Sequence, residues 1–245
     1  MFIVNSYFLA VVLCFVTMLC WGSWGNTQKL AAKSWRYELF YWDYVIGMVI
    51  FSLILAFTLG SFGSEGRSFI QDVSQVSLVS VGWVLLGAVV FNISNILLSA
   101  SISIAGLSVA FPLGVGLALV MGVLNNLIFH PNANTNVAVL LLGVALVIAA
   151  IICNGVASGK VSTEVRDAKQ NRKGIILALL AGIIMSFFSA LVYNGVDLDN
   201  FAAPAAGKVT PYTAIVIFSL GIKRGNGVDP LKNVVYCNHS VSRKN

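Results

Sequence analysis

Charge is what this sequence has least of. Between Asp72 and Lys160 no Asp, Glu, Lys or Arg occurs, an interval covering more than a third of the 245-residue chain. Charged residues make up 10% of the whole and hydrophobic residues 58%, with a mean hydropathy of +0.88. A soluble domain needs charge on its surface. A bilayer excludes it, because an ionised side chain at mid-membrane costs about 3 kcal/mol on insertion scales. The scarcity therefore excludes the ordinary globular class and points to an integral membrane protein. Other absences narrow the chemistry. The two histidines, His130 and His239, are isolated in predicted loops, and no HExxH, Ser/His/Asp set or intramembrane acidic pair occurs. An enzyme needs some such constellation, so none is expected, nor any metal or cofactor. Cys14, Cys20 and Cys153 fall inside apolar runs and read as small buried apolar residues, with Cys237 in the tail; neither a disulfide framework nor a CxxC metal site is present. The stretch Gly155 to Ser162 fails as a phosphate loop, which needs four residues between its glycines and Ser or Thr directly after the Lys.

What is present is a series of apolar runs of membrane-crossing length, about 20 residues each. They cover residues 6–28, 43–61, 77–101, 106–129, 136–155 and 174–193, with a seventh run from Val209 to Ile222. The runs are continuously apolar rather than alternating, so the expected fold is an all-α polytopic bundle and not a barrel. The first run lacks a basic n-region and a small-x-small site, and reads as a retained helix. Breaks fall at Gly60 to Gln75, at Ile104-Ala105-Gly106, at His130 to Asn134, and at Gly155 to Lys173. The net charge of +6 is carried by loops: Lys29, Lys33 and Arg36 in the first, and Lys160, Arg166, Lys169, Arg172 and Lys173 in the longest. Arg67 is the one basic residue of the intervening connections. This bias places those basic loops, including residues 156–173, in the cytoplasm and the N-terminus outside, and it argues for a cytoplasmic (inner) membrane rather than a nucleic-acid partner. Trp35, Tyr37, Tyr41, Trp42 and Tyr44 read as an aromatic belt at the inner edge.

Uncharged polar residues within the runs carry the functional signal. Trp21 and Trp24 share a helix face near the end of the first run, with Ser23, Asn26 and Gln28 beside them. Asn92, Asn95 and Ser99 share one face of the third run, and Asn125 with Asn126 lies in the fourth. Such faces in lipid either line a wet cavity or hydrogen-bond to another helix. Aromatic planes with amide groups suit a neutral polar solute, a sugar or a heterocycle. Asp43 is the only carboxylate read as near a helix core; it is either a proton-coupling site or an interfacial anchor beside Trp42. Gly114, Ala118 and Gly122 recur every four residues, as do Ala178, Gly182, Ser186 and Ala190, the small-residue stripes that let helices pack closely in lipid. Pro112 marks either a hinge or the start of the fourth run.

The stretch Cys20-Trp21-Gly22-Ser23-Trp24-Gly25-Asn26-Thr27 resembles the first helix of the ureide permease and sugar-uptake branch of the drug/metabolite transporter superfamily. Tyr41-Trp42-Asp43-Tyr44, Ala105 to Val109 and Thr210-Pro211-Tyr212-Thr213-Ala214 resemble the same branch, so the likeness extends over about residues 1–222. It implies two inverted five-helix repeats with a solute cavity between them, and secondary transport often coupled to protons. On this chain it implies a first repeat over 1–155, a basic loop over 156–173, the start of a second repeat over 174–222, and a polar tail over 223–245. The tail departs from the pattern and reads as a truncation or frameshift. The partners expected are membrane lipid and a small solute, with a homodimer as one way to complete the missing repeat. Alternatives of other classes are an exporter of the same superfamily and a non-transporting membrane protein.

Overall fold

A computed structural model describes residues 1–31, 37–63, 65–129, 136–161, 168–197, 199–201 and 203–226. Among them the chain forms α1 (Tyr7–Ala31), α2 (Tyr37–Phe57), α3 (Phe69–Gln75), α4 (Leu78–Ala105), α5 (Leu107–Phe129), α6 (Val137–Val161), α7 (Ala168–Met185), α8 (Phe188–Tyr193) and α9 (Pro211–Asn226). Six stretches are long and apolar enough to cross a membrane, the last running through α7 and α8. The protein is thus a polytopic helical bundle. Lys33, Trp35, Arg36, residues 130–134, Arg166 and the tail beyond Asn226 lie outside the described residues.

α4 is the axis of the bundle. It packs along α7, α8 and α9, while α5 lies on α7 and α2 on α9. Small residues set these distances. A side-chain carbon on Gly182 of α7 would meet the Gly114 carbonyl of α5 at 2.7 Å, and one on Gly114 would meet Leu98 at 2.6 Å and the Ala178 carbonyl at 3.3 Å. Gly221 of α9 faces Ala88, and Gly87 of α4 faces Val192 and the Phe188 carbonyl. Neutral hydrogen bonds fasten the same contacts. Ser94 Oγ donates to the Ala181 carbonyl at 2.7 Å, Ser101 Oγ to the Gly174 carbonyl at 2.6 Å, and Asn125 Nδ2 to Ser186 Oγ at 3.0 Å. In lipid such bonds and close packing take over from a hydrophobic drive between helices. α1 and α6 stay at the periphery with most of their side chains facing outward. Cys14, Cys20 and Cys153 are exposed there, not buried as the sequence suggested, because the apolar medium around an outer helix accepts them.

The helix boundaries follow local chemistry that the apolar runs did not reveal. The 60–75 break contains α3, where Gln71 Oε1 accepts the Ser68 N–H at 3.2 Å in a Ser-x-x-Gln start. α4 starts at Ser77, whose side chain accepts the Ser80 N–H, and ends at Gly106, whose φ of 88° suits glycine. The sixth run is not one helix: it breaks at Ser186-Phe187 between α7 and α8. The seventh begins at Pro211 rather than Val209, because Thr210 precedes a proline suited to the first helical position, and Val209 instead pairs with Val196. Far from being marginal, α9 is central; its Ile222 packs with Tyr41, Val45, Phe91 and Met185.

One buried carboxylate, Asp72 in α3, ties the first part of the chain to the last. It is fully buried. Its Oδ2 accepts the Thr210 N–H at 2.8 Å and Thr210 Oγ1 at 3.0 Å, while Oδ1 accepts Gln75 Nε2 at 3.1 Å and lies 3.2 Å from Arg67 Nε. The negative charge sits at the N-terminus of α9, where the helix dipole favours it. Gln75 and Arg67 also reach the Lys208 carbonyl, and Gln75 Oε1 accepts the N–H of Gly207, a glycine at φ 82°. The same end of the bundle holds Phe2 against the Leu59 carbonyl and Tyr212 Oη against the Phe2 carbonyl.

Three outcomes follow from this packing. Gly182→Leu forces α5 and α7 apart and should destabilise by about 2 kcal/mol, read as a lowered Tm in detergent; Gly143→Ala, with open space around it, should leave Tm unchanged or raise it. Asp72→Ala strands Arg67 and the Thr210 N–H and should cost roughly 3 kcal/mol, with protease sensitivity appearing at the α8–α9 connection. In that connection the Asp197 carboxyl is held below its ordinary range, chiefly by the Ala205 N–H on Oδ2 at 2.9 Å. A depressed carboxyl stabilises above the usual carboxylate range and loses that contribution as pH falls through its own lowered value. Protection of the Ala205 amide, corrected for intrinsic exchange, should therefore decline in that acid window, and an Asp197→Ala chain should show no such step.

Candidate functional site

A half-open cavity of about 190 Å³ lies where α1, α2, α4, α5 and the end of α7 converge. Trp21, Trp24 and Cys20 reach it from α1 and Tyr44 from α2. Phe91, Asn95 and Leu98 come from α4, Phe111 and Val115 from α5, and Met185 from the last turn of α7. No Asp, Glu, Lys, Arg or His lines it. A cavity near 150 Å³ is enough to take a benzene-sized ring, so this one suits a small compact solute. A second cleft, of about 250 Å³, lies between α5 and α6 along Val109, Pro112, Leu113, Ile151 and Ile152. Its walls are almost wholly apolar and Ile152 is exposed, so it reads as a groove facing lipid.

Local sequence explains how the rings are placed. Gly25 lets α1 approach α5 closely, since a side-chain carbon there would lie 3.0 Å from Leu107 and 3.5 Å from Phe111. Trp24 consequently stacks on Phe111, with centroids 6.3 Å apart at 30°, and meets Tyr44 edge-on at 5.9 Å. Phe91 forms the opposite wall and joins Phe188 and Phe218 at 5.1 and 5.3 Å, so the cavity wall is continuous with α8 and α9. Pro112 follows Phe111 inside α5 and removes one backbone donor without ending the helix.

The polar groups divide sharply. The Trp24 indole Nε1 is buried with no hydrogen-bond partner among the described residues. Asn95 spends Nδ2 on the Phe91 carbonyl of its own helix at 3.0 Å. Asn92, by contrast, is held by Tyr41, whose hydroxyl donates to Asn92 Oδ1 at 2.7 Å; that side chain binds α2 to α4 and does not line the cavity. Ser99 is buried off the cavity. Ser23 donates to the Leu19 carbonyl of its own helix at 2.6 Å, and both Ser23 and Asn26 face outward. Asp43 is exposed on α2 and does not reach the cavity. The deeply buried carboxylate is Asp72, which the sequence reading placed in a polar break. Gly114, Ala118, Ala178, Gly182 and Ser186 lie at the α4–α5–α7 contacts, and Gly122 approaches the Ser186 carbonyl more loosely.

Of the residues singled out from sequence, the structure therefore brings together Trp21, Trp24 and Asn95. Tyr44, Phe91, Phe111 and Met185 were missed. Tyr41 and Tyr44 had been read as belt aromatics, but both turn inward. A ring on a continuously apolar helix carries no sign of which neighbour it faces; only the spacing of Tyr41 and Tyr44, three residues apart with exposed Trp42 between them, hinted at a common inward face.

An uncharged, aromatic-walled cavity thus lies among the membrane-crossing helices. The sequence model of the ureide permease family matches residues 40–171, more than half of the chain, and the chain belongs to that family, one of transporters. Ureide permease 1 of Arabidopsis thaliana is 27% identical over 177 residues, covering 71% of this chain and 45% of the relative. Ureide permease 2 of the same plant is 27% identical over 173 residues, covering 69% and 43%. Ureide permease 3 is 25% identical over 175 residues, covering 71% and 50%. The chain spans about half the length of the curated relatives it matches. No solved structure matches it.

Because the α1–α5 approach depends on Gly25, Gly25→Val should push Trp24 away from Phe111. The expected readout is a red-shifted, more quenchable tryptophan emission in the Gly25→Val chain at unchanged helix content by circular dichroism.

Proposed function

We propose that this chain carries a small neutral polar solute, a ureide-like heterocycle, across a membrane as part of a secondary permease. The observation that carries the reading is the cavity itself: flat aromatic walls, a stranded indole donor and an amide, and no ionised side chain. A charged solute entering such a site sheds its water without a counter-charge, a cost of several kcal/mol, whereas a neutral planar solute exchanges water for ring stacking and directed hydrogen bonds. The names of the relatives supply the solute class. The mechanism proposed is alternating access, with the cavity exposed to each side in turn. The break between α7 and α8 adjoins Met185 at the cavity wall, and Asn125 Nδ2 donates to the Ser186 carbonyl and hydroxyl there, an arrangement suited to a hinge. The Lys and Arg distribution supports the first connection and residues 156–173 on the cytoplasmic side and the N-terminus outside. The helix order supports a first five-helix repeat made of α1, α2, α4, α5 and α6.

The test is uptake by proteoliposomes of labelled hydantoin, a neutral cyclic ureide, against labelled glucose. Hydantoin flux above that of empty vesicles, cut about tenfold by Trp24→Ala and little changed by Asn26→Ala, supports the reading. Glucose flux without hydantoin flux replaces the heterocycle by a sugar. Flux of neither solute by a well-folded chain counts against transport by this chain alone.

A further inference from the structure

We propose that the cavity reads its solute through two groups of opposite hydrogen-bonding sense on different helices: the Trp24 indole N–H of α1 donates to a solute carbonyl, and the Asn95 side-chain carbonyl of α4 accepts a solute N–H. This rests on the transport reading above and deepens it by assigning the solute's recognition to named atoms.

Most buried polar side chains in the bundle are already committed. Ser94 and Ser101 donate to carbonyls of α7, Asn125 holds Ser186, and Ser52 pairs with Ser219. Trp24 stands apart. Its indole nitrogen is donor-only, is buried, and has no acceptor among the described residues, yet the side chain lines the cavity. A buried donor in this position costs about 1–3 kcal/mol, which a solute carbonyl recovers. Asn95 supplies the complement. Because only its amide nitrogen can donate to the Phe91 carbonyl, that 3.0 Å bond fixes the orientation of the group and turns Oδ1, an acceptor, away from the α4 backbone. The Oδ1 atom takes no hydrogen bond among the described residues, while the side chain reaches the cavity. Phe111, stacked on Trp24, and Phe91 add flat apolar surface to the same cavity lining. The solute chemistry that satisfies both helices at once is an amide or ureide edge, which presents C=O and N–H side by side in one plane. A site built to accept an N–H rejects an analogue lacking it far more strongly than an apolar pocket rejects an extra methyl.

The experiment is isothermal titration of the full chain in lipid nanodiscs with hydantoin and with 1,3-dimethylhydantoin, which keeps both carbonyls and has no N–H. The wild-type chain should bind hydantoin at least about tenfold more tightly. Asn95→Leu should weaken hydantoin and spare the dimethyl analogue, so that the ratio between them falls towards one. Trp24→Phe, which keeps the ring against Phe111 and Tyr44, should weaken both ligands by similar factors; it carries the test if Asn95→Leu fails to fold. Hydantoin binding with a ratio within twofold of one, a ratio untouched by Asn95→Leu, or a Trp24→Phe loss confined to one ligand overturns the assignment while leaving the transport reading in place. Wild-type chain that binds neither compound overturns both.

Discussion

The approach of α5 to α7 at Gly114 and Gly182 is the contact on which the rest of the bundle depends. With a carbonyl of one helix 2.7 Å from where a side-chain carbon of the other would sit, no larger residue fits. That approach lets Leu98 of α4 lie over Gly114, lets Ser94 reach the α7 backbone, and sets Met185 beside Phe91. It is also a consequence of the missing charge. Helices without ionised groups to pair in lipid hold together by dispersion and short neutral hydrogen bonds, both of which decay within an ångström or two. Small residues are thus the means of assembly here, and large aromatic ones are left to line the space that remains.

Two kinds of polar chemistry are kept apart by depth. Among the described residues, ionic interaction is concentrated at one end, where Asp72, Arg67, Gln75 and Thr210 knot α3 to the start of α9. A carboxylate is tolerated there because a guanidinium, an amide and a helix N-terminus surround it. Around the cavity the polar groups are the two indoles of Trp21 and Trp24, the Asn95 amide, the Tyr44 phenol and the Cys20 thiol. The division fits the proposed transport, which needs one end held firmly and an uncharged site within. The aromatic chain from Phe91 through Phe188 and Phe218 lies between the two, so a shift of α8 or α9 reaches the cavity wall through ring contacts.

Much of the architecture was legible in sequence, and the reasons are specific. Membrane spans are set by hydrocarbon thickness, so the apolar runs located six crossing stretches to within a few residues. The errors fell where a local hydrogen bond, not hydropathy, sets a boundary: the Ser68–Gln71 start of α3, the Thr210-Pro211 start of α9, and the break at Ser186. The candidate site was legible only in part. Trp21, Trp24 and Asn95 reach the cavity, whereas Asn92, on the same helix face as Asn95, is taken by Tyr41. Periodicity put both asparagines on one face and had no means of telling which met a neighbour and which met open space.

The sequence alone determined the medium, the helical class and the neutrality of any intramembrane site, because transfer free energies act residue by residue and need no knowledge of the fold. The tertiary structure decided which neutral groups are spent on holding helices together and which are left facing the cavity. That partition depends on hydrogen bonds of 2.7 and 3.0 Å between residues as far apart in the chain as Tyr41 and Asn92 or Asn125 and Ser186, and on ring contacts such as that of Trp24 with Phe111, both of which are decided only at short range.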